Sequence, residues 1–307
     1  MKQRLVVIVG PTGVGKTALA VRIAREIGGE VVSADSRLFY RGLDIGTAKP
    51  TTTEQQGVPH HLIDILAAGE RFSLAQFLRV AQKAIAEIAA RRKLPVLVGG
   101  TGQYVWALLE GWEVPEIEPD TTLRRELENQ VATEGVGPVY ERLVAADVAS
   151  AASVDRFNPR RVVRALERVL SGRTGATRAK QTESPYDALV IGLTTSRPEL
   201  YASIDRRIDK MICAGWVDEV KKLLAAGVSL SEPAMTGIGY REIAAAIAGE
   251  ITLEEAIAAA KRSTRRLIRH QYNWFKLSDP RIRWVESAGA DDAVTLTGAW
   301  LNTPLNN

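Results

Sequence analysis

Apolar positions in the first third of the chain alternate between short continuous runs and stretches with helical spacing. The runs at Leu5–Val9, Glu30–Ala34 and Pro95–Val98 predict buried strands. The segments from Gly15 to about Ile27 and from Ser73 to Arg92 predict amphipathic helices. Continuous apolar strands separated by helices are typical of a parallel sheet covered on both faces. This part of the chain therefore predicts an α/β core.

The pattern changes after an acidic stretch that contains Glu110, Glu113, Glu116, Glu118 and Asp120. From Thr121 to Leu170 the spacing is helical, a strand-like run returns at Ala188–Leu193, and helical spacing resumes from Pro198 onward. A chain of 307 residues is also long for one compact core. We therefore predict a core domain of residues 1–111 and 186–307, interrupted by a mostly helical inserted domain at 112–185. The expected fold is a phosphate-loop parallel sheet covered by helices.

Composition and charge narrow the class of protein. Hydrophobic residues make up 46% and charged residues 25%, which is ordinary for a globular protein. The apolar run at Leu5–Val9 is too short for a signal peptide or a membrane span, so we expect a cytoplasmic protein without a membrane partner. Cys213 is the only cysteine, which excludes a disulfide within one chain.

The net charge of +4 is unevenly distributed. One basic segment, residues 156–180, contains a single acid, Glu167. Its basic residues are Arg156, Arg160, Arg161, Arg164, Arg168, Arg173, Arg178 and Lys180. A second, from Lys261 to Lys276, contains no acid. Basic segments of this kind favour a polyanionic partner.

The strongest motif is the glycine-rich loop, the eight residues Gly10, Pro11, Thr12, Gly13, Val14, Gly15, Lys16 and Thr17. It lies between a predicted strand and a predicted helix, as a phosphate-binding loop requires. Its glycines allow backbone amides to surround phosphate oxygens, Lys16 can reach the terminal phosphate, and Thr17 can ligate Mg²⁺. The motif does not distinguish a nucleoside triphosphate from an isoprenoid diphosphate.

Two further candidates follow predicted strands. Asp35 ends the second strand and could accept a proton from an attacking amine. The strand ending at Val98 lacks the aspartate that usually helps to hold magnesium and continues into Gly99–Gly102. Thr101 in that turn could contact a phosphate. Strand ends of a parallel sheet meet at one edge, so Lys16, Asp35 and Thr101 should converge there.

Longer segments resemble the tRNA dimethylallyltransferases, also called tRNA isopentenyltransferases, in their bacterial form. The resemblance spans nearly the whole chain. It rests on the glycine-rich loop and on residues 33–37, 40–50, 59–64, 99–102, 158–167, 207–211, 237–242 and 274–276.

The resemblance implies transfer of a dimethylallyl group from dimethylallyl diphosphate to the exocyclic amine of the adenosine that follows the anticodon. It implies Mg²⁺ as cofactor and the tRNA anticodon stem-loop as partner, and we expect a monomer. Asp35 matches the general base of the family, while Lys16, Thr17, Thr101 and Arg207 match groups that bind and neutralise the diphosphate.

The RNA-binding candidates come partly from spacing and partly from the resemblance. Arg161, Arg164 and Arg168 recur at three and four residues, which predicts an arginine stripe on one helix face. The full predicted set is Asp35, Ser36, Arg37, Leu38, Thr101, Arg160, Arg161, Val162, Val163, Arg164, Gly239, Tyr240 and Arg241. Leu38, Gln103 and His270 depart from the pattern of the family.

Three other functions compete with this reading. A small-molecule kinase would bind ATP at the loop, and a related prenyltransferase would modify free adenine nucleotides. A non-catalytic RNA-binding protein would retain the loop without activity. The two basic segments argue against a small-molecule substrate, and the intact loop with Asp35 argues against loss of catalysis.

Overall fold

The computed structural model describes residues 2–114, 120–172 and 183–304. Six strands form one sheet in the order β3-β2-β4-β1-β5-β6, and each neighbouring pair is parallel. The strands are β1 (Gln3–Val9), β2 (Gly29–Ser33), β3 (His60–His61), β4 (Leu94–Val98), β5 (Tyr186–Thr194) and β6 (Ile282–Glu286). The prediction of an α/β fold is confirmed.

Thirteen α-helices lie within the described residues. They are α1 (Lys16–Ile27), α2 (Thr52–Gln55), α3 (Leu74–Ala90), α4 (Gly102–Leu109), α5 (Thr121–Glu134), α6 (Val136–Ala146), α7 (Val148–Ala152), α8 (Pro159–Leu170), α9 (Arg197–Cys213), α10 (Trp216–Ala225), α11 (Tyr240–Ile247), α12 (Leu253–Trp274) and α13 (Ala290–Leu301). A short 3₁₀ turn, Ala234–Thr236, precedes α11. None of the described helices has the length and apolar character that crossing a membrane would require.

The strand β1 lies at the centre of the sheet, between β4 and β5. Its residues Leu5–Val9 are fully buried, which explains the continuous apolar run. In register, Ile8 pairs with Val98 and Val9 with Gly192, and Ser33 pairs with Val98. The carboxyl ends of β1, β2 and β4 therefore meet at one edge of the sheet.

The helical pattern predicted beyond Pro198 is wrong at one place, because β6 extends the sheet there. This strand lies at the edge, and only Ile282 among its residues is fully buried. Arg283 and Glu286 are exposed, so the strand carries no continuous apolar run that the sequence pattern could reveal.

The chain divides into two compact units, one of Met1–Trp112 with Gln181–Asn307 and one of Glu113–Lys180. The second unit has its own apolar core, with Leu127, Leu143 and Leu166 all fully buried. Inside it, the Arg124 guanidinium donates to both carboxylate oxygens of Glu167, with Nη2 2.7 Å from each. Glu167, the one acid of the first basic segment, is thus a buried structural group rather than a surface charge.

Candidate active site

A cavity of about 460 Å³ lies in the first unit, where the loops after β1, β2 and β4 meet helices α9 and α12. This volume is within the range of small-molecule sites. Its polar lining includes Thr12, Asp35, Thr101 and Arg207. Its apolar lining includes Ile204, Ile208, Met211, Trp216, Ile238 and Leu267. The cavity therefore combines a charged region with an apolar one.

The glycine-rich loop joins β1 to α1. Gly10 has φ +138°, and a Cβ there would meet the Leu193 carbonyl oxygen at 2.3 Å, so only glycine fits against β5. Gly15 has φ +100° and caps α1, which places the amino end of that helix at the loop. The Ser203 hydroxyl donates to the Gly13 carbonyl at 3.0 Å, which attaches α9 to the loop. The loop and the α9 side chain Arg207 are thus held close to the same cavity.

Lys16 and Arg207 are cations in a poorly solvated site. The Lys16 ammonium donates to the Pro11 carbonyl at 2.8 Å. Burial lowers the pKa of Lys16 to about 8; attraction to Asp35 opposes this effect and repulsion from Arg207 adds to it. Burial also lowers the pKa of Arg207, against the attraction of Asp35 and Glu54. Two cations that lack full solvation form a site that favours an anionic ligand.

Asp35 and Thr101 lie where β2 and β4 end. One Asp35 carboxylate oxygen accepts from the Arg37 backbone N–H at 3.0 Å. The Thr101 hydroxyl oxygen accepts from the Ser36 backbone N–H at 3.3 Å, and this contact joins the two loops. Asp35 is half-buried and lines the cavity. Its second carboxylate oxygen has no hydrogen bond in the described structure, so it can accept a proton.

The comparisons with known proteins agree on one family. The IPP transferase family model matches residues 38–278, and the isopentenyl transferase model matches residues 3–66. A tRNA dimethylallyltransferase of Roseiflexus sp. (strain RS-1) is 46% identical over 302 residues, covering 97% of this chain and 99% of that protein. One from Thermomicrobium roseum is 49% identical over 286 residues, covering 93% and 86%.

Solved structures give the same result. The tRNA isopentenylpyrophosphate transferase of Bacillus halodurans aligns with a TM-score of 0.73 at 41% identity, covering 98% of this chain and 97% of that one. The corresponding Staphylococcus epidermidis protein aligns with a TM-score of 0.72 at 34% identity, covering 98% and 99%. The chain belongs to the tRNA dimethylallyltransferase family.

In this member of the family, several residues predicted from the sequence share the cavity: Thr12, Asp35, Ser36, Arg37, Thr101, Arg207 and Tyr240. Lys16 does not line the cavity but is electrostatically coupled to Asp35 and Arg207. Thr17 and Leu38 are half-buried and also lie outside its lining.

The RNA-binding candidates are placed differently from one another. On α8, Arg160, Arg161 and Arg164 are exposed, whereas Val162 and Val163 are buried in the core of the second unit and leave no surface for RNA. Arg164 also donates to Glu167 at 3.3 Å. The predicted contributions of Arg173, Arg178, Lys180, Glu116 and Glu118 lie outside the described residues.

The RNA-binding candidates near α11 also differ in exposure and in contacts. Arg241 is exposed, and its side chain donates to the Leu230 carbonyl at 3.1 Å. Tyr240 is fully buried, and its hydroxyl donates to Glu219 at 2.7 Å. Arg37 lines the cavity, but its guanidinium donates to the Thr236 hydroxyl at 2.8 Å. A role of Tyr240 and Arg37 in shaping the cavity fits these contacts.

Sequence reasoning missed the buried carboxylate of Glu219. Its two oxygens accept from the backbone N–H groups of Asp44 and Ile45, both at 2.7 Å, and of Gly46, at 3.1 Å. Gly46 lines the cavity, so Glu219 holds part of the cavity wall. Nothing in the sequence Asp218-Glu219-Val220-Lys221 distinguishes this acid from a surface residue.

The second basic segment is partly neutralised within the first unit. Lys261 pairs with Asp209 at 2.7 Å and Arg265 with Asp205 at 2.6 Å, which connects α12 to α9. Arg262, Arg266 and Arg269 remain exposed. The absence of acids between Lys261 and Lys276 therefore overstated the free charge, because the compensating acids lie on another helix.

Proposed function

We propose that this protein transfers a dimethylallyl group from dimethylallyl diphosphate to the exocyclic amine of the adenosine 3′-adjacent to the anticodon in tRNA, releasing diphosphate. The observation that carries the proposal is the convergence of Thr12, Asp35, Thr101 and Arg207 on one cavity that also has an apolar wall. Relatives that match almost the whole chain are named for this activity.

The diphosphate is proposed to bind at the glycine-rich loop. The amino end of α1 offers backbone N–H groups, and Lys16 and Arg207 offer positive charge. As the allylic C–O bond breaks, its electron pair passes to a diphosphate oxygen, and preorganised cations stabilise that charge. The apolar residues Ile204 and Ile208 on α9 can accept the hydrocarbon part.

We propose that Mg²⁺ binds beside the diphosphate, with Thr17 as its ligand from the protein. No group of three or more His, Cys, Asp or Glu side chains suited to a metal occurs among the described residues. Mg²⁺ commonly keeps several water ligands and binds substrate phosphates, so the Thr17 hydroxyl at the start of α1 would supply one ligand and the diphosphate and water the others. When bound, the ion would neutralise charge on the departing diphosphate.

Asp35 is proposed as the general base. The adenosine amine forms a bond to the allylic carbon while the C–O bond to diphosphate breaks, and the amine then loses one proton. The carboxylate oxygen of Asp35 that carries no hydrogen bond in the described structure can accept this proton. The neighbouring Arg37 amide holds the other oxygen at 3.0 Å and so fixes the carboxylate.

The tRNA is proposed to bind through phosphate contacts and through capture of an unstacked base. The exposed arginines of α8, namely Arg160, Arg161, Arg164 and Arg168, form a basic surface on the second unit. Alkylation needs the adenine out of its stack, so a cavity rather than a flat surface suits the reaction. We further propose that the protein acts as a monomer in the cytoplasm.

The deciding experiment offers one donor and two acceptors. Purified protein with Mg²⁺ and labelled dimethylallyl diphosphate is incubated with unmodified tRNA or with AMP, and nucleosides are separated by mass spectrometry. We expect a prenylated adenosine in tRNA and none in AMP. Transfer to AMP alone would overturn the substrate. No prenyl transfer to either acceptor, together with phosphorylation in a parallel reaction that contains ATP, would overturn the reaction. Asp35→Asn is the matched variant, and we expect its transfer to be slower by on the order of a hundredfold or more.

A further inference from the structure

Gln271, on α12, joins two of the loops that form the cavity. Its side chain is 5% exposed. The carbonyl oxygen Oε1 accepts from the Thr12 backbone N–H at 2.8 Å, and the amide nitrogen Nε2 donates to the Gly100 carbonyl at 3.2 Å. Thr12 belongs to the glycine-rich loop after β1, and Gly100 to the turn after β4. One carboxamide thus holds both strand ends.

The connection continues to Asp35. Thr101, next to Gly100, accepts from the Ser36 N–H at 3.3 Å, and Ser36 follows Asp35 in the chain. Two side chains, Gln271 and Thr101, therefore link the loop for the diphosphate to the proposed base. The fit around the carboxamide is tight, since a Cβ on Gly100 would lie 2.2 Å from the Gln271 amide nitrogen.

We propose that Gln271 is a positioning residue that sets the spacing between the glycine-rich loop and Asp35, and thereby the alignment of the electrophile with the base. This inference rests on the proposed function and adds to it a residue that lines the cavity and acts through the two loops it joins. A carboxamide suits the task because it accepts through oxygen and donates through nitrogen. An ionised carboxylate has only acceptors and would oppose the Gly100 carbonyl, while a thioether supplies neither strong group.

The chemistry of the carboxamide provides a specific test. In Gln271→Glu, a protonated carboxyl would accept from Thr12 and donate to Gly100, as glutamine does, whereas the ionised form would not. Burial raises the pKa of a carboxyl group, so lowering the pH should restore this variant. Gln271→Met keeps the length of the side chain without either bond, so it should not respond. Gln82→Glu, on the exposed face of α3, is the matched control.

The measurement is the ratio of the variant's kcat to that of the wild type between pH 6 and pH 9, with the KM for each substrate. Other charged or titratable groups around the cavity are Asp35, Arg37, Arg207 and His270, with Lys16 on the adjoining loop. They are present in both proteins, so the ratio removes the titration that wild type and variant share, and Gln271→Met, which adds no charge, gives the ratio without a new carboxylate. Circular dichroism at each pH confirms that the variants are folded.

We expect Gln271→Met to lose on the order of a hundredfold in kcat at every pH, because small misplacement of reacting groups has effects of this size. Its KM for dimethylallyl diphosphate should change far less. The kcat ratio of Gln271→Glu should rise as the pH falls, while that of Gln82→Glu stays near one. A near-normal kcat for Gln271→Met, or a ratio for Gln271→Glu that ignores pH, would overturn the proposal.

Hydrogen exchange separates this inference from the proposed function. In the unliganded protein, the Thr12 amide should exchange faster in Gln271→Met than in the wild type, with a smaller change in α3. Unchanged exchange at Thr12 would overturn the linkage itself. If the wild type does not modify tRNA, the proposed function fails, and the exchange experiment alone decides whether Gln271 holds the loops.

Discussion

The low pKa of Lys16 makes diphosphate affinity depend on pH in a range where an ordinary lysine would not titrate. Burial lowers this pKa from 10.5 to about 8. A bound diphosphate adds negative charge beside the ammonium and should raise the pKa again, so binding takes up a proton wherever the free lysine is partly neutral. The affinity for diphosphate should therefore be greatest well below pH 8, where Lys16 is charged, and should decline above that pH.

The size of the effect follows from the free pKa of Lys16, about 8. At pH 9 about one molecule in ten carries the charged lysine, so affinity should fall about tenfold, or about 1.4 kcal/mol. A lysine with the ordinary value of 10.5 would remain charged at pH 9. The phosphate groups of the substrate ionise at about pH 6, below this range. Proton uptake on binding should approach one as the pH rises past 9.

Isothermal titration calorimetry measures both the affinity and the proton uptake. The ligand is an unreactive analogue of dimethylallyl diphosphate in which sulfur replaces the oxygen between the allylic carbon and the diphosphate. Titrations between pH 7 and pH 9.5, in buffers of different ionisation enthalpy, give the affinity and the number of protons taken up. Lys16→Arg keeps the charge across this range, so its affinity should be lower overall but independent of pH. A wild-type affinity that stays flat to pH 9.5 would refute the argument. An equal slope in Lys16→Arg would assign the proton to another group.

Three further predictions concern the base, the RNA surface and the cavity wall. Asp35→Asn should bind both substrates but slow single-turnover transfer by on the order of a hundredfold or more, and near-normal turnover would remove Asp35 from the mechanism. Replacing Arg161 and Arg164 together by alanine should weaken tRNA binding and reduce its dependence on salt concentration; an unchanged salt slope would make this surface an ordinary solvated one. Tyr240→Phe should lower the free energy of unfolding in urea by about 1.5–3 kcal/mol, because it removes a donor from the buried Glu219 carboxylate; an unchanged midpoint would contradict this contact.

The strands that the sequence revealed are those buried on both faces. Leu5–Val9 and Val96–Val98 are apolar throughout because β1 and β4 have strands on both sides and their side chains are buried on both faces. The missed strands lie at the two edges of the sheet. There β3 has two residues and β6 has polar residues exposed, so neither produces an apolar run.

Site residues could be anticipated where the chemistry follows directly from a strand end. Asp35 and Thr101, which both line the cavity, were predicted in this way because the carboxyl ends of parallel strands converge. Gln271 could not be found by the same reasoning, because its contact with Thr12 joins residues 259 positions apart. Burial of a polar side chain depends on the packing of distant elements, which local spacing does not encode.

The α8 segment shows how a helix divides a contiguous motif. The predicted RNA contacts ran from Arg160 to Arg164 without a break, but consecutive residues of a helix point about 100° apart. Val162 and Val163 therefore face the core while Arg161 and Arg164 face solvent. The helical period, applied to every residue of the motif, would have separated the two groups.

The central position of β1 has a consequence for synthesis on the ribosome. Its neighbour β4 ends at Val98, but its other neighbour β5 begins at Tyr186. At typical elongation rates, roughly 5–20 s pass before that second neighbour emerges. During this interval, while the second unit is being made, the edge of β1 that later pairs with β5 offers its unpaired backbone N–H and C=O groups to other strands, and its side chains Leu5–Val9 are all apolar. A longer insertion would delay β5 further. The length of the second unit therefore sets how long β1 lacks its second neighbour during translation.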